Sequence, residues 1–316
     1  MNENRLIVSS SPHLRSPRTT QGIMLDVIVA LLPALVMGTV IFGWRALLVC
    51  AASVGSAVFS EFLFNVITKR EQSVSDLTAI VTGLLLGLNV RADVPVWQCV
   101  VGAAFAIVVV KCLFGGLGAN FANPAITGRI FMFLCFSSTV GGGAVRVIND
   151  SGAAELVSSA TPLSVLANGG TLPSLSDMFF GFYGGAIGET CTAALLVGFV
   201  YLVVRKVIHF ETPLVFIGTV FVLSLIVDNS PSAALYQIMA GGLVLGAVFM
   251  ATDYVTTPIT RSGKMIFAFG CGLITFLIRY FGTYPEGVSF AILIMNILSP
   301  YVERWTTKRP LGGAKR

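Results

Sequence analysis

The chain has 316 residues, of which 55% are apolar and only 11% charged, and its mean hydropathy is +0.86. A soluble domain carries about 25% charged residues, so this composition excludes an ordinary water-soluble enzyme and indicates a chain embedded in a bilayer. The net charge of +5 is accounted for by membrane orientation, and no nucleic-acid partner is expected from it.

In chain order, residues 1–22 are polar and hold Arg5, Arg15 and Arg18. They contain no apolar run followed by a small-residue cleavage site, so the first span is itself expected to direct insertion. A hydrocarbon core about 30 Å thick requires about 20 apolar residues per helix. That rule predicts spans near 23–43, 46–68, 77–90, 95–114, 124–139, 186–204, 212–228, 234–252, 264–282 and 286–303. The third and fifth are short enough to be broken or half-spanning. The expected fold is an all-α polytopic membrane protein of about ten transmembrane helices. Its organisation is a cytoplasmic segment 1–22, a first repeat 23–139, an extracytoplasmic loop 140–185, a second repeat 186–303 and a basic tail 304–316.

Charge placement orients these spans. With the N-terminus inside, 16 of the 20 Lys and Arg residues, Lys111 and Arg129 among them, fall on inner segments. Only Arg45, Arg91, Arg146 and Arg279 fall outside. The excess places both termini in the cytoplasm and the loop 140–185 on the outer side. Trp44, Trp97 and Trp305 all fall at span ends, where interfacial rings belong.

The two five-span halves share a weak similarity. Thr82-Gly-Leu-Leu-Leu-Gly-Leu88 resembles Gly241-Gly-Leu-Val-Leu-Gly-Ala247, and Lys111-Cys-Leu-Phe114-Gly115 resembles Arg279-Tyr-Phe281-Gly282. An odd number of spans makes the second half enter from the opposite side, which is an inverted-topology repeat with sites expected at the interface. Residues 115–124 and 282–287 are rich in Gly, Asn and Pro. Non-helical backbone at membrane depth survives only when buried in protein or lining a cavity.

Asp26, Glu61, Lys111, Glu189, Asp253 and Glu286 lie within or at the edges of spans. A carboxylate there costs several kcal/mol unless paired, hydrated or protonated, so Glu61, Glu189, Asp253 and Glu286 are ion-path candidates. The six cysteines sit singly in apolar segments, and His13 and His209 are isolated. No metal site is expected from that spacing, and the cysteines read as small buried apolar side chains. Nothing in the chain has the context of a nicotinamide-binding GxGxxG turn or a cysteine cluster, so no catalytic residues are assigned.

The outer loop carries Glu155-Leu-Val-Ser158-Ser159-Ala160-Thr161-Pro162-Leu163. This segment resembles the acidic-x-x-Ser-Gly-Ala-Thr flavinylation motif, with Glu155 in place of Asp and Ser159 in place of Gly. Other shared words are Asn123-Pro124-Ala125-Ile-Thr-Gly-Arg129, Gly188-Glu189-Thr190, Phe249-Met-Ala-Thr252-Asp253 and Tyr284-Pro285-Glu286-Gly287. Over about residues 20–305 the chain is similar to the RnfD subunits of Rnf complexes and, more distantly, to the NqrB subunits of the sodium-pumping NADH:quinone oxidoreductases. The resemblance implies FMN held covalently on Thr161 through a phosphoester, with Ser158, Ser159 and Glu155 as the surrounding recognition segment. It also implies an FMN transferase acting outside the cell membrane of a bacterium, and partner subunits that include a second flavin carrier. The complex so implied couples ferredoxin oxidation and NAD reduction to Na+ or H+ export, and a non-covalent riboflavin between the halves is part of the same expectation. The rival readings are a flavin-free small-solute channel and the equivalent quinone-reductase subunit.

Overall fold

A computed structural model of the chain describes residues 18–140, 144–148, 155–159, 161–168, 170, 172–282 and 286–307. Among these residues the backbone is helical, except for irregular connections and one antiparallel ribbon. Helices α1 (Thr20–Phe42), α2 (Trp44–Ile67), α10 (Glu211–Asp228) and α13 (Arg261–Phe281) are each long and apolar enough to cross a membrane. A fifth crossing is broken: α11 (Pro231–Met239) and α12 (Leu243–Met250) meet at 65°. Helices α3 (Thr78–Leu88), α4 (Val96–Cys112), α5 (Pro124–Cys135) and α9 (Thr192–Val204) are apolar but shorter. Helix α14 (Val288–Thr306) closes the bundle, and α6 (Ser137–Val140), α7 (Pro162–Asn168) and α8 (Leu175–Phe180) lie in the connection between α5 and α9.

Local chemistry sets these boundaries. The Thr19 hydroxyl accepts from Gly22 N at 3.1 Å to start α1, and Asn123 accepts from Ala125 N at 3.0 Å to start α5. Pro124 and Pro231 occupy first-turn positions of α5 and α11, where a missing N–H costs nothing. The break between α11 and α12 falls at Gly241, whose φ of +68° is a left-handed conformation that side-chain-bearing residues rarely adopt. Both α4 and α12 end in π-helical turns, Ala106–Cys112 and Gly246–Met250, a feature often found beside functional sites.

Two sequence expectations need correction. The connection expected to be non-strand contains β1 (Ala144–Ile148) paired with β2 (Glu155–Ser159), Ala144 opposite Ser159 and Ile148 opposite Glu155. The β-branched residues Val145, Val147, Ile148 and Val157 explain the preference for strand. The span expected to start at 186 begins its helix only at Thr192, and residues 182–191 are irregular backbone.

Helix packing brings the shorter elements into the centre. Helix α1 packs on α9, α5 on α14, α2 on α3 and α4, and α10 on α11 and α13. The α2–α3 contact is close because Gly83 and Gly87 face α2 backbone: a Cβ at Gly83 would lie 2.6 Å from Val54 Cα. Small residues allow such approach between apolar helices. The outward faces are apolar, with Val36, Val40, Val200, Val204 and Leu214 all exposed. Trp44, Trp97 and Trp305 are exposed at helix ends.

A charged cleft beside Thr161

The irregular segments and helix breaks meet at a cleft of about 790 Å³, its open mouth included. Thr161, Pro162 and Leu163 stand at one wall, Ile130 and Phe133 of α5 at another, and Ser289 and Phe290 of α14 at a third. Phe133 and Phe290 meet edge to face with ring centroids 6.1 Å apart. Thr161 is half-buried and starts α7: its Oγ1 accepts from Ser164 N at 3.2 Å and lies 3.0 Å from Ser164 Oγ, to which it donates. Esterification of that hydroxyl would remove the donor and keep the bridging oxygen, so the acceptor role toward Ser164 N survives modification.

The floor of the cleft is charged. Arg129, projecting from the middle of α5, forms an ion pair with Glu286. Its Nη1 donates to Asn89 Oδ1 at 2.9 Å and to Ser289 Oγ at 3.1 Å. Asn89 caps the C-terminus of α3, and its own amide donates to Leu85 O at 2.8 Å. Glu189 comes from the irregular segment before α9 and is only 7% exposed. Its Oε1 accepts from Ala186 N at 3.0 Å, while Oε2 has no hydrogen-bond partner among the described residues. Tyr183 donates to Met239 O at 3.0 Å, tying this segment to the end of α11. A second guanidinium, Arg279 of α13, fastens the other side of the break by donating to Gln237 O and, at 3.1 Å, to Ala240 O. The cleft thus offers apolar walls, a fixed cation and a buried carboxyl oxygen. Apolar walls with a few convergent polar groups are the general character of a small-molecule site.

A second cleft lies at the opposite ends of α5 and α9, lined by Thr82, Lys111, Asn120, Asn123, Phe249 and Asp253 among others. Asp253 accepts from Thr256 Oγ1 at 3.1 Å and from Val255 N at 3.4 Å. Lys111, at the π-helical end of α4, is almost fully buried and pairs with Glu61 at 2.8 Å. Its ammonium also donates to Thr78 Oγ1 at 2.6 Å, and Ser73 donates to the same Glu61 oxygen.

The candidate residues therefore divide. Thr161, Glu189 and Glu286 share the first cleft, Asp253 lies in the second, and Glu61 sits behind the second with Lys111. Glu155, Ser158 and Ser159 lie in β2, opposite Ile148, Val145 and Ala144; of these three only the backbone pairing is described. Arg129, counted on an inner segment, and Thr161, counted in the outer loop, line the same cleft, because α5 is short and Arg129 is in its middle. Asn89 and Arg129 carry no sequence expectation as site residues. An arginine at the sixth position of a twelve-residue apolar helix was the available signal for the second.

Taken together, the fold and the clefts define a multi-pass helical membrane protein with a polar site built where its helices break. The NQR2, RnfD, RnfE family matches residues 7–312, and the chain belongs to that family. It is 43% identical to the D component of the Na(+)-translocating ferredoxin:NAD(+) oxidoreductase complex of Acetobacterium woodii, over 100% of this chain and 98% of that protein. It is 38% identical to the D component of the proton-translocating ferredoxin:NAD(+) oxidoreductase complex of Clostridium ljungdahlii, over 98% of this chain and 97% of the relative. The D component of the ion-translocating oxidoreductase complex of Stutzerimonas stutzeri is 36% identical over 92% of this chain and 91% of its own length.

Proposed function

We propose that this chain is the flavin-carrying membrane subunit of an Rnf-type complex, which couples electron transfer between ferredoxin and NAD to export of Na+ or H+. In this reading Thr161 bears FMN through a phosphoester and the first cleft receives its ring. The observation that carries it is the position of Thr161: a hydroxyl at the mouth of a slot with two phenylalanines and a charged floor, in a chain aligned end to end with the D components of ion-translocating oxidoreductase complexes. The residues fit the group. The cleft has apolar walls with a few convergent polar groups, and Glu189 holds a buried oxygen without a hydrogen-bond partner among the described residues. When bound, flavin supplies one-electron carriage, and the protein sets its position and electrostatics. Arg129 and Arg279 hold fixed positive charge beside the slot, Glu189 and Glu286 offset it, and Phe133 and Phe290 exclude water.

The same reading places ten crossings in two inverted five-helix halves, 23–139 and 186–303. Correspondence of Lys111 with Arg279, the first buried and the second half-buried near the end of its half's fourth helix, supports it. Both termini are then cytoplasmic, and the Thr161 end faces outward, where an FMN transferase reaches it. The second cleft, with Asn120, Asn123 and Asp253, is the place for a non-covalent riboflavin. Glu61, Asp253, Glu189 and Glu286 remain the candidates for the ion path. Partners are the other subunits of the complex, including a second flavin carrier.

In-gel flavin fluorescence after denaturation tests the attachment. A fluorescent band from cells containing the transferase is expected, and Thr161→Ala is expected to abolish both the band and coupled ion transport. A colourless unsubstituted chain would favour a flavin-free channel, and fluorescence persisting in Thr161→Ala would move the link to Ser158 or Ser159.

A further inference from the structure

At the floor of the first cleft two acids from distant parts of the chain touch. The side chains of Glu189, from the segment before α9, and Glu286, from just before α14, stand within hydrogen-bonding reach of one another. As two carboxylates they offer each other only acceptors. One hydrogen turns the contact into a hydrogen bond, and acids that share a site removed from water do not both ionise. The available donors identify which acid keeps the charge. Glu286 is paired with Arg129, accepts from Gly242 N and has Arg279 beside it. Glu189 has one donor among the described residues, Ala186 N at 3.0 Å, and that serves Oε1. Its Oε2 is buried and receives none. Gly242 stands against both acids, since a Cβ built on it would lie 3.4 Å from Glu189 Oε2. Exposure agrees with this division: Glu189 is 7% exposed, whereas the Glu286 side chain is 34% exposed and meets the cleft.

We propose that Glu189 and Glu286 share a single proton, carried by Glu189 and donated to Glu286, and that the pair holds or releases it according to the charge of the group in the cleft. The second part rests on the flavin reading above. The other ionisable groups facing the pair are Arg129 from α5, Arg279 from α13 and Tyr183 from the segment before α9. Asn89 and Ser289, which hold Arg129 in place, are neutral, and a phenol is neutral at physiological pH. Two guanidiniums therefore face one carboxylate. The offset comes from Glu286 alone, and the floor keeps one positive charge in excess. Negative charge arriving in the cleft strengthens the pair's hold on its proton, and its departure weakens it. Proton binding at the floor then follows the redox state of the carrier.

Infrared difference spectroscopy of the purified complex tests both parts. A neutral carboxyl has a C=O stretch separate from that of a carboxylate, and it moves on deuteration. At neutral pH, subtracting the Glu189→Gln spectrum from that of the unsubstituted complex is expected to leave one such band. Glutamine is nearly isosteric with a neutral glutamic acid and puts an N–H where the O–H stood, so covalent fluorescence is expected to be retained. Chemical reduction is expected to shift the band in the unsubstituted complex and to leave it in place in Thr161→Ala. No such band, or in its place a carboxylate band that moves with added Na+, overturns the shared proton. A band that is present but unmoved on reduction, with covalent fluorescence retained, overturns the coupling alone. Absence of covalent flavin from the unsubstituted chain overturns the flavin reading and the coupling with it, while the band still decides the proton.

Discussion

At the residue scale, two ion pairs at the clefts join residues far apart in sequence. Lys111 and Glu61 are 50 residues apart and Arg129 and Glu286 are 157 apart. The sequence marks Glu61, Lys111, Glu189 and Glu286 as ionisable groups in apolar surroundings, because that property is local. It does not reveal who meets whom, since pairing depends on how distant helices pack. Arg129 illustrates the limit: a positive charge counted by its place along a span is assigned to a face, whereas a helix half the usual length puts it in the middle of the molecule. The Lys111–Glu61 pair yields a direct prediction. Lys111→Met leaves a carboxylate buried at 1% side-chain exposure without its cation, which costs about 3–5 kcal/mol. A lower unfolding temperature in detergent is expected, with most of it recovered by adding Glu61→Gln. An unchanged melting curve for the single variant would mean that the pair contributes no stability.

At the element scale, most helix positions were legible from apolar runs, including the shortness of α3 and α5. The late start of α9 and the ribbon β1–β2 were not. The segment before α9 mixes apolar residues with Gly184, Gly185, Gly188 and Glu189, and its irregular path is stabilised by contacts from elsewhere, such as Ile187 N donating to Val90 O at 3.1 Å and Gly188 N donating to Leu88 O at 2.7 Å. An apolar window of about 20 residues that runs on into α9 does not resolve that boundary. The Gly-rich word in α3, legible as half of a repeat, has a second role as a packing surface. A methyl at Gly83 would meet α2 backbone, Ser53 O at 2.8 Å and Val54 Cα at 2.6 Å, and backbone cannot yield as a flexible side chain does. Gly83→Ala is therefore expected to cost about 1–3 kcal/mol. The measurement is thermal unfolding of the purified variant, and a transition equal to that of the unsubstituted chain would show that α3 can shift without loss.

At the scale of the whole molecule, the two clefts sit at opposite ends of α5 and α9, and the proposed topology has them opening to opposite sides of the membrane. Accessibility tests it. In a background lacking the exposed Cys135, a membrane-impermeant maleimide applied to intact cells should label Ser174→Cys and spare Ser262→Cys. Both positions are exposed, one at the start of α8 and the other in the first turn of α13. The reverse pattern would invert the protein and put Thr161 in the cytosol.

The brevity of α5 has an electrical consequence. Ala125 lines one cleft and Arg129 the other, a separation of about 6 Å along the helix axis. A lipid slab spreads a transmembrane voltage over about 30 Å. Here, with the clefts opening on opposite faces as proposed, the insulating layer narrows to little more than a single coil of backbone, and the field is concentrated there. A charge crossing that layer would do most of the roughly 2.3 kcal/mol of work per 100 mV in one short step. A displacement of a few ångströms at this partition would then register nearly the full electrical force across the cell envelope.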